Sequence, residues 1–156
     1  MGLLDRSTGG FVAEIGFYHL TRTTLEQALP ALLGRTLAAG ERAVVLCGSP
    51  ERVAALDRLL WEVAEPDWLP HGSAGDAELQ PIWLTVAEER PNGARYLFVV
   101  DGGAADYSGW GRVFDLFSGD DPVAVALARE RWAVARAGGH SLAYWKQGER
   151  GWAKGA

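Results

Sequence analysis

Arg129, Trp132 and Arg136 recur at intervals of three and four in the run Ala128-Arg129-Glu130-Arg131-Trp132-Ala133-Val134-Ala135-Arg136. On a helix that spacing places all three on one face. Guanidinium groups around an indole suit a carboxylate standing beside an aromatic ring. They do not suit proton transfer, because a guanidinium keeps its proton at ordinary pH. The pattern points to binding rather than catalysis. The same residues also read as solvated charge around a half-buried indole, and residue types alone leave both readings open.

Groups that carry conventional catalysis are sparse. The histidines, His19, His71 and His140, are far apart and none has metal-ligand spacing. His19 closes a strand-like run and is the best candidate for an acid–base role, although a hydrogen-bonded strand-end histidine is commoner. Asp101 follows Phe98-Val99-Val100, where nucleotide hydrolases often hold magnesium, but an aspartate there also caps a turn. An enzyme built on His19 and Asp101 is therefore the alternative to a binding protein. The first strand-to-helix turn, His19-Leu20-Thr21-Arg22-Thr23-Thr24, lacks the glycines that let backbone approach a pyrophosphate. The second, Cys47-Gly48-Ser49-Pro50-Glu51-Arg52, lacks a phosphate-loop lysine and carries an acid. No nucleophile elbow is present. Neither a cofactor, a metal nor a catalytic residue is expected.

Composition narrows the partners. A formal charge of −5 argues against direct contact with nucleic acid, since phosphate binding takes clustered positive charge. Any basic site must be local. The single cysteine, Cys47, ends the apolar run Ala43-Val44-Val45-Leu46 and reads as a buried thiol, which leaves no internal disulfide. No run approaches the roughly 20 apolar residues of a membrane span, and the first ten residues lack the apolar centre of a signal peptide. No membrane contact and a cytoplasmic address are expected.

Strand and helix alternate along the chain, which predicts an α/β sheet with helices on both faces. Strands are expected at residues 12–19, 43–47, 81–86, 95–101, 112–117 and 140–146. The first helix follows Thr23 or Thr24 and carries Leu25, Leu29, Leu32, Leu33 and Leu37, with Pro30 a possible kink. Ser49-Pro50-Glu51 opens a second helix and Asp120 or Asp121 a third. Residues 66–81 read as a long loop and those after Gln147 as frayed.

Several segments, taken in order, resemble the chi subunit of the bacterial DNA polymerase III holoenzyme. They are Phe17-Tyr18-His19-Leu20, Ala54-Ala55-Leu56-Asp57-Arg58-Leu59-Leu60-Trp61, Trp68-Leu69-Pro70-His71, Val113-Phe114-Asp115-Leu116-Phe117, Leu127-Ala128-Arg129-Glu130-Arg131-Trp132 and Tyr144-Trp145-Lys146. The resemblance spans roughly residues 12–147. It implies a single Rossmann-like domain over 11–147 without a nucleotide, a flexible extension over 1–10 and a C-terminal tail over 148–156. It also implies a non-catalytic replication subunit. Such a subunit binds the acidic C-terminal tail of single-stranded-DNA-binding protein and joins it to the clamp loader through psi. Arg129 would pair with the terminal carboxylate, Trp132 and Phe117 would receive the aromatic ring, and Arg136 would attract upstream acids. Trp61, Trp68, Leu69 and Pro70 would form the psi-binding surface, for which a helicase can compete. The family is basic at the positions of Val125 and Ala133 and has tyrosine at that of Trp132, so this helix carries less positive charge.

Overall fold

A computed structural model describes residues 13–63, 68–102 and 106–155. The expected extension over 1–10 lies outside them. Seven strands form one sheet: β1 (Glu14–Leu20), β2 (Ala43–Leu46), β3 (Ile82–Thr85), β4 (Tyr96–Val99), β5 (Arg112–Ser118), β6 (Ser141–Gly148) and β7 (Gly151–Lys154). Their spatial order is β3-β2-β4-β5-β1-β6-β7, parallel throughout except for the antiparallel β6–β7 pair. The helices are α1 (Leu25–Ala38), α2 (Pro50–Glu62) and α3 (Pro122–Ala137).

Every residue of β2 and β3 is buried, as expected of parallel strands covered on both faces. One face carries α1 and α2 over a core that includes Tyr18, Leu29, Leu56, Phe98, Phe114 and Leu116. The opposite face carries α3, with Ile15, Phe17, Val113 and Phe117 beneath it. Among the described residues the β3–β4 and β4–β5 connections carry no helix, and Ala94, Tyr107 and Trp110 from them contribute to this second core. Side chains alternate along β1, so Phe17 and His19 face the α3 side while Tyr18 and Leu20 face the other.

The helix starts follow their capping chemistry. Thr24 and Gln27 form a reciprocal capping box on α1, Ser49 accepts from the Arg52 amide, and Asp121 accepts from the Val123 amide. The helix α1 runs through Pro30, which is itself buried. The capping box and the buried leucines offset one missing amide donor.

One expectation is corrected. The residues after Gln147 are not frayed: β6 continues to Gly148, turns, and pairs with β7, whose Trp152 packs on the Tyr18 ring at 5.0 Å. In β7 only Trp152 and Ala153 are apolar, too short a run for an edge strand to stand out. Residues 68–81 form the expected long loop, held down at several points. Leu69 and His71 are buried, Gly72 bridges to Trp83, and Ala77–Leu79 forms a turn of 3-10 helix. The stretch 64–67, which includes Pro66, lies outside the described residues.

Gly16 on β1 is a packing requirement. A Cβ there would stand 2.6 Å from Cε1 of Tyr18, whose ring leans back across the glycine toward Phe114. Gly16→Ala is expected to destabilise the protein by about 1–3 kcal/mol, read as a lower urea midpoint at unchanged slope. Cys47 is buried, and burial first, then the nearby Asp101 carboxylate, pushes its thiol up to about 12. The folded protein should therefore resist an aromatic disulfide reagent near pH 8 and react fully once denaturant is added.

Candidate functional site

The face of α3 that meets the sheet is set by a buried ion pair. Asp115 sits fully buried in β5 among apolar neighbours. Arg131 donates to both of its oxygens, Nε to Oδ2 at 2.7 Å and Nη2 to Oδ1 at 2.8 Å, and the Tyr107 hydroxyl donates to Oδ2 at 3.0 Å. Burial alone would lower the Arg131 pKa, but the Asp115 carboxylate outweighs it and the pKa is raised. Ala128 and Ala135, both buried, lie along the same contact and let the helix approach closely. The sequence reading missed this network. Its signal was an acid inside the strand Val113-Phe114-Asp115-Leu116-Phe117, which cannot stay buried without a partner.

With α3 held at that rotation, Arg129, Trp132 and Arg136 line one side of a groove against β1 and β6. Its other walls include Phe17, His19, Phe117 and Tyr144, and it encloses about 530 Å³. The four residues singled out from sequence for an acidic ligand are thus brought together. Trp132 is half-buried and meets the Phe17 ring edge-to-face at 5.2 Å. Arg129 and Arg136 are exposed and enter no ion pair among the described residues. Among the described residues no acid lines the groove, although the chain is acidic overall.

His19, unassigned to this site by sequence, forms part of its floor. Its ring stacks on Phe117 at 4.8 Å, and Nδ1 lies 2.6 Å from the Tyr144 hydroxyl. Burial, then the charges of Lys146 and Arg129, hold its pKa below the ordinary 6.5. Asp101 belongs to a different cluster. Its carboxylate accepts from the Gly48 amide at 3.0 Å and from Arg52, which also reaches Glu26. Asp101 therefore ties the end of β4 to the start of α2. His19 and Asp101 line separate cavities.

The crevice where a parallel sheet commonly takes a nucleotide is engaged internally. The Gln147 carboxamide oxygen accepts from the amides of Arg22 and Thr23 at 2.7 and 3.0 Å. The Gly119 amide donates to the Leu20 carbonyl at 2.7 Å. These are the donors an anion would use. Among the described residues no group of three or more His, Cys, Asp or Glu could hold a metal ion, and no helix is long and apolar enough to cross a membrane.

At the far end of the sheet Trp61 and Trp68 are 62% and 71% exposed. Trp61 leans on the buried His71 ring at 4.6 Å. His71 Nδ1 lies 2.6 Å from the Leu69 carbonyl, and Nε2 lies 3.0 Å from the Asp57 carbonyl and 3.1 Å from its carboxylate. Pro70 is partly exposed. Leu69 is only 2% exposed, so it anchors this segment from below instead of presenting a contact.

Comparison with known proteins agrees with the geometry. The family model for the DNA polymerase III chi subunit, HolC, matches residues 12–143. The chain belongs to the chi subunit family. A relative described as a probable DNA polymerase III subunit chi, from Rickettsia prowazekii (strain Madrid E), is 25% identical over 92 residues. That match covers 58% of this chain and 56% of the relative, so the chain spans little more than half of the relative's length. The family is one of DNA polymerase III subunits.

The His19 shift has a measurable sign. Above about pH 6.5 the ring is neutral in both folded and unfolded chains. Below that value the unfolded chain takes up a proton that the folded chain resists, so stability falls as pH drops toward the depressed folded pKa. Replacing His19 with Gln should flatten the pH dependence of the urea midpoint below about pH 6.5.

Proposed function

We propose that the groove between α3 and the sheet receives the acidic C-terminal tail of single-stranded-DNA-binding protein. The observation that carries this reading is a groove of about 530 Å³ with exposed, unpaired Arg129 and Arg136 on its rim, aromatic walls and no lining acid. Arg129 pairs with the terminal carboxylate, Trp132 and Phe117 receive the last aromatic ring, and Arg136 draws acids upstream. His19 and Tyr144 extend the wall that the ring meets.

The magnitudes favour a short-lived contact. A buried aromatic ring contributes ~2–3 kcal/mol, a desolvated carboxylate–guanidinium bond ~1.5–3, and each rim charge under ~1. Ordering a disordered tail costs ~2–5 kcal/mol. The balance reaches micromolar affinity, about −8 kcal/mol, only with favourable geometry. Several tails on one oligomer raise the effective affinity.

The exposed pair Trp61 and Trp68, with Pro70 beside them, is the surface for psi and through it the clamp loader. It is the surface for which a helicase would compete. Leu69 and His71 support it from beneath. Exposed indoles are among the residue types favoured at interface hot spots. A parallel sheet with helices on both faces also supports a Rossmann-like reading of the fold, as one chi-like domain to which β7 adds an edge strand.

The test is titration with a synthetic acidic peptide ending in phenylalanine, followed by tryptophan fluorescence. Arg129→Ala should weaken binding by roughly tenfold or more, and deletion of the terminal phenylalanine should abolish it. Equal affinity for wild type and Arg129→Ala, or no binding by wild type, would overturn the reading.

A further inference from the structure

Behind the groove, on the opposite face of the same strands, lies a second hollow with matching chemistry. Tyr18 and Trp145 form its floor, nearly parallel at 11° with ring centres 6.0 Å apart, and Trp152 stands edge-on to Tyr18. Arg112 lies over the Phe114 ring at 4.7 Å, with Nη2 3.5 Å from the Tyr18 hydroxyl. Arg35, exposed on the last turn of α1, closes the other side. Burial raises the Tyr18 pKa against the opposing pull of Arg112, so the phenol stays neutral. Neither arginine enters an ion pair among the described residues, and no acid lines the hollow. The hollow thus presents two guanidiniums beside a largely aromatic surface.

We propose that this second hollow binds an acidic peptide segment carrying an aromatic side chain, so that one chain engages two such segments on opposite faces of the sheet. The inference rests on the reading of the first groove, because it assigns the same class of ligand. Size and charge select that class. About 210 Å³ admits one ring and an anionic group, below the range of pockets that enclose a whole nucleotide-sized ligand. Two cations match one or two carboxylates, whereas a phosphate backbone recruits a longer basic track. Residues of β1 and β6 alternate between the two sites: Phe17 and Tyr144 serve the groove, Tyr18 and Trp145 the hollow. The two ligands therefore cannot collide.

Protein labelled with 5-fluorotryptophan, its resonances assigned by single Trp→Phe changes, distinguishes the two sites by fluorine NMR. The probe is the acidic peptide ending in phenylalanine. Trp145 and Trp152 should shift together with Trp132, at a calorimetric stoichiometry of two peptides per chain. Arg129→Ala should suppress the Trp132 shift and leave the Trp145 shift. Arg35→Glu, a change on the exposed helix surface that does not threaten folding, should weaken the Trp145 response roughly tenfold and spare that of Trp132. A response of Trp132 alone, with one peptide per chain, overturns this inference and leaves the first reading standing. No response at any of these residues overturns both. Trp145 responding to a single-stranded oligodeoxynucleotide but not to the peptide overturns the inference in favour of nucleic acid.

Discussion

The bidentate contact between Arg131 and Asp115 fixes more of this molecule than any other interaction. A carboxylate at the centre of a covered parallel sheet is costly to desolvate, and it persists only because a guanidinium and a tyrosine hydroxyl satisfy it. Removing the arginine would leave an uncompensated charge, typically a loss of about 3–5 kcal/mol. The geometric effect matters as much as the energetic one. Anchored through Arg131, α3 has one allowed rotation, with Ala128 and Ala135 pressed to the sheet. Arg129, Trp132 and Arg136 then fall beside the anchor, over β1 and β6. The groove is a by-product of that docking.

Charge is distributed with the same economy. The chain is acidic, yet many of its cations are committed to its own structure: Arg131 to Asp115, Arg52 to Asp101 and Glu26, Arg95 to Glu41. Arg90 lies over the Trp110 ring at 3.9 Å and donates to the Gly109 carbonyl. Among the guanidiniums without an ion pair, those of Arg129, Arg136, Arg35 and Arg112 line the two aromatic hollows on either side of β1 and β6. A modest number of positive charges thereby becomes local field where apolar walls exclude water. Elsewhere the acidic surface repels ligands that the hollows would attract.

Much of the architecture was legible from residue order. Caps at Thr24, Ser49 and Asp121 marked the helix starts, and the runs Val44-Val45-Leu46 and Leu97-Phe98-Val99 marked buried strands. The helical spacing of Arg129, Trp132 and Arg136 located one wall of the groove, because that spacing is a local property. Its remaining walls include His19 on β1 and Tyr144 on β6, which lie 125 positions apart, and no local pattern links those two. Tertiary pairing likewise hid the second hollow and the strand β7. Leu69 misled because an exposed neighbour, Trp68, lent its character to the whole turn. Trp83 and Trp110 had no role to read in sequence. One donates to Glu89 and the other lies beneath Arg90, both through loops that sequence leaves unplaced.

The strand β1 is shared property. Its odd-numbered side chains furnish one hollow and Tyr18 the other, and its main chain is paired on both sides from Glu14 onward, to β5 and to β6. Inserting or deleting a single residue within it would turn every subsequent side chain through the sheet, sending Tyr18 beneath α3 and an apolar neighbour toward α1. Neither surface can drift by such a step without dismantling the other. A change of side chain at constant length leaves that register intact.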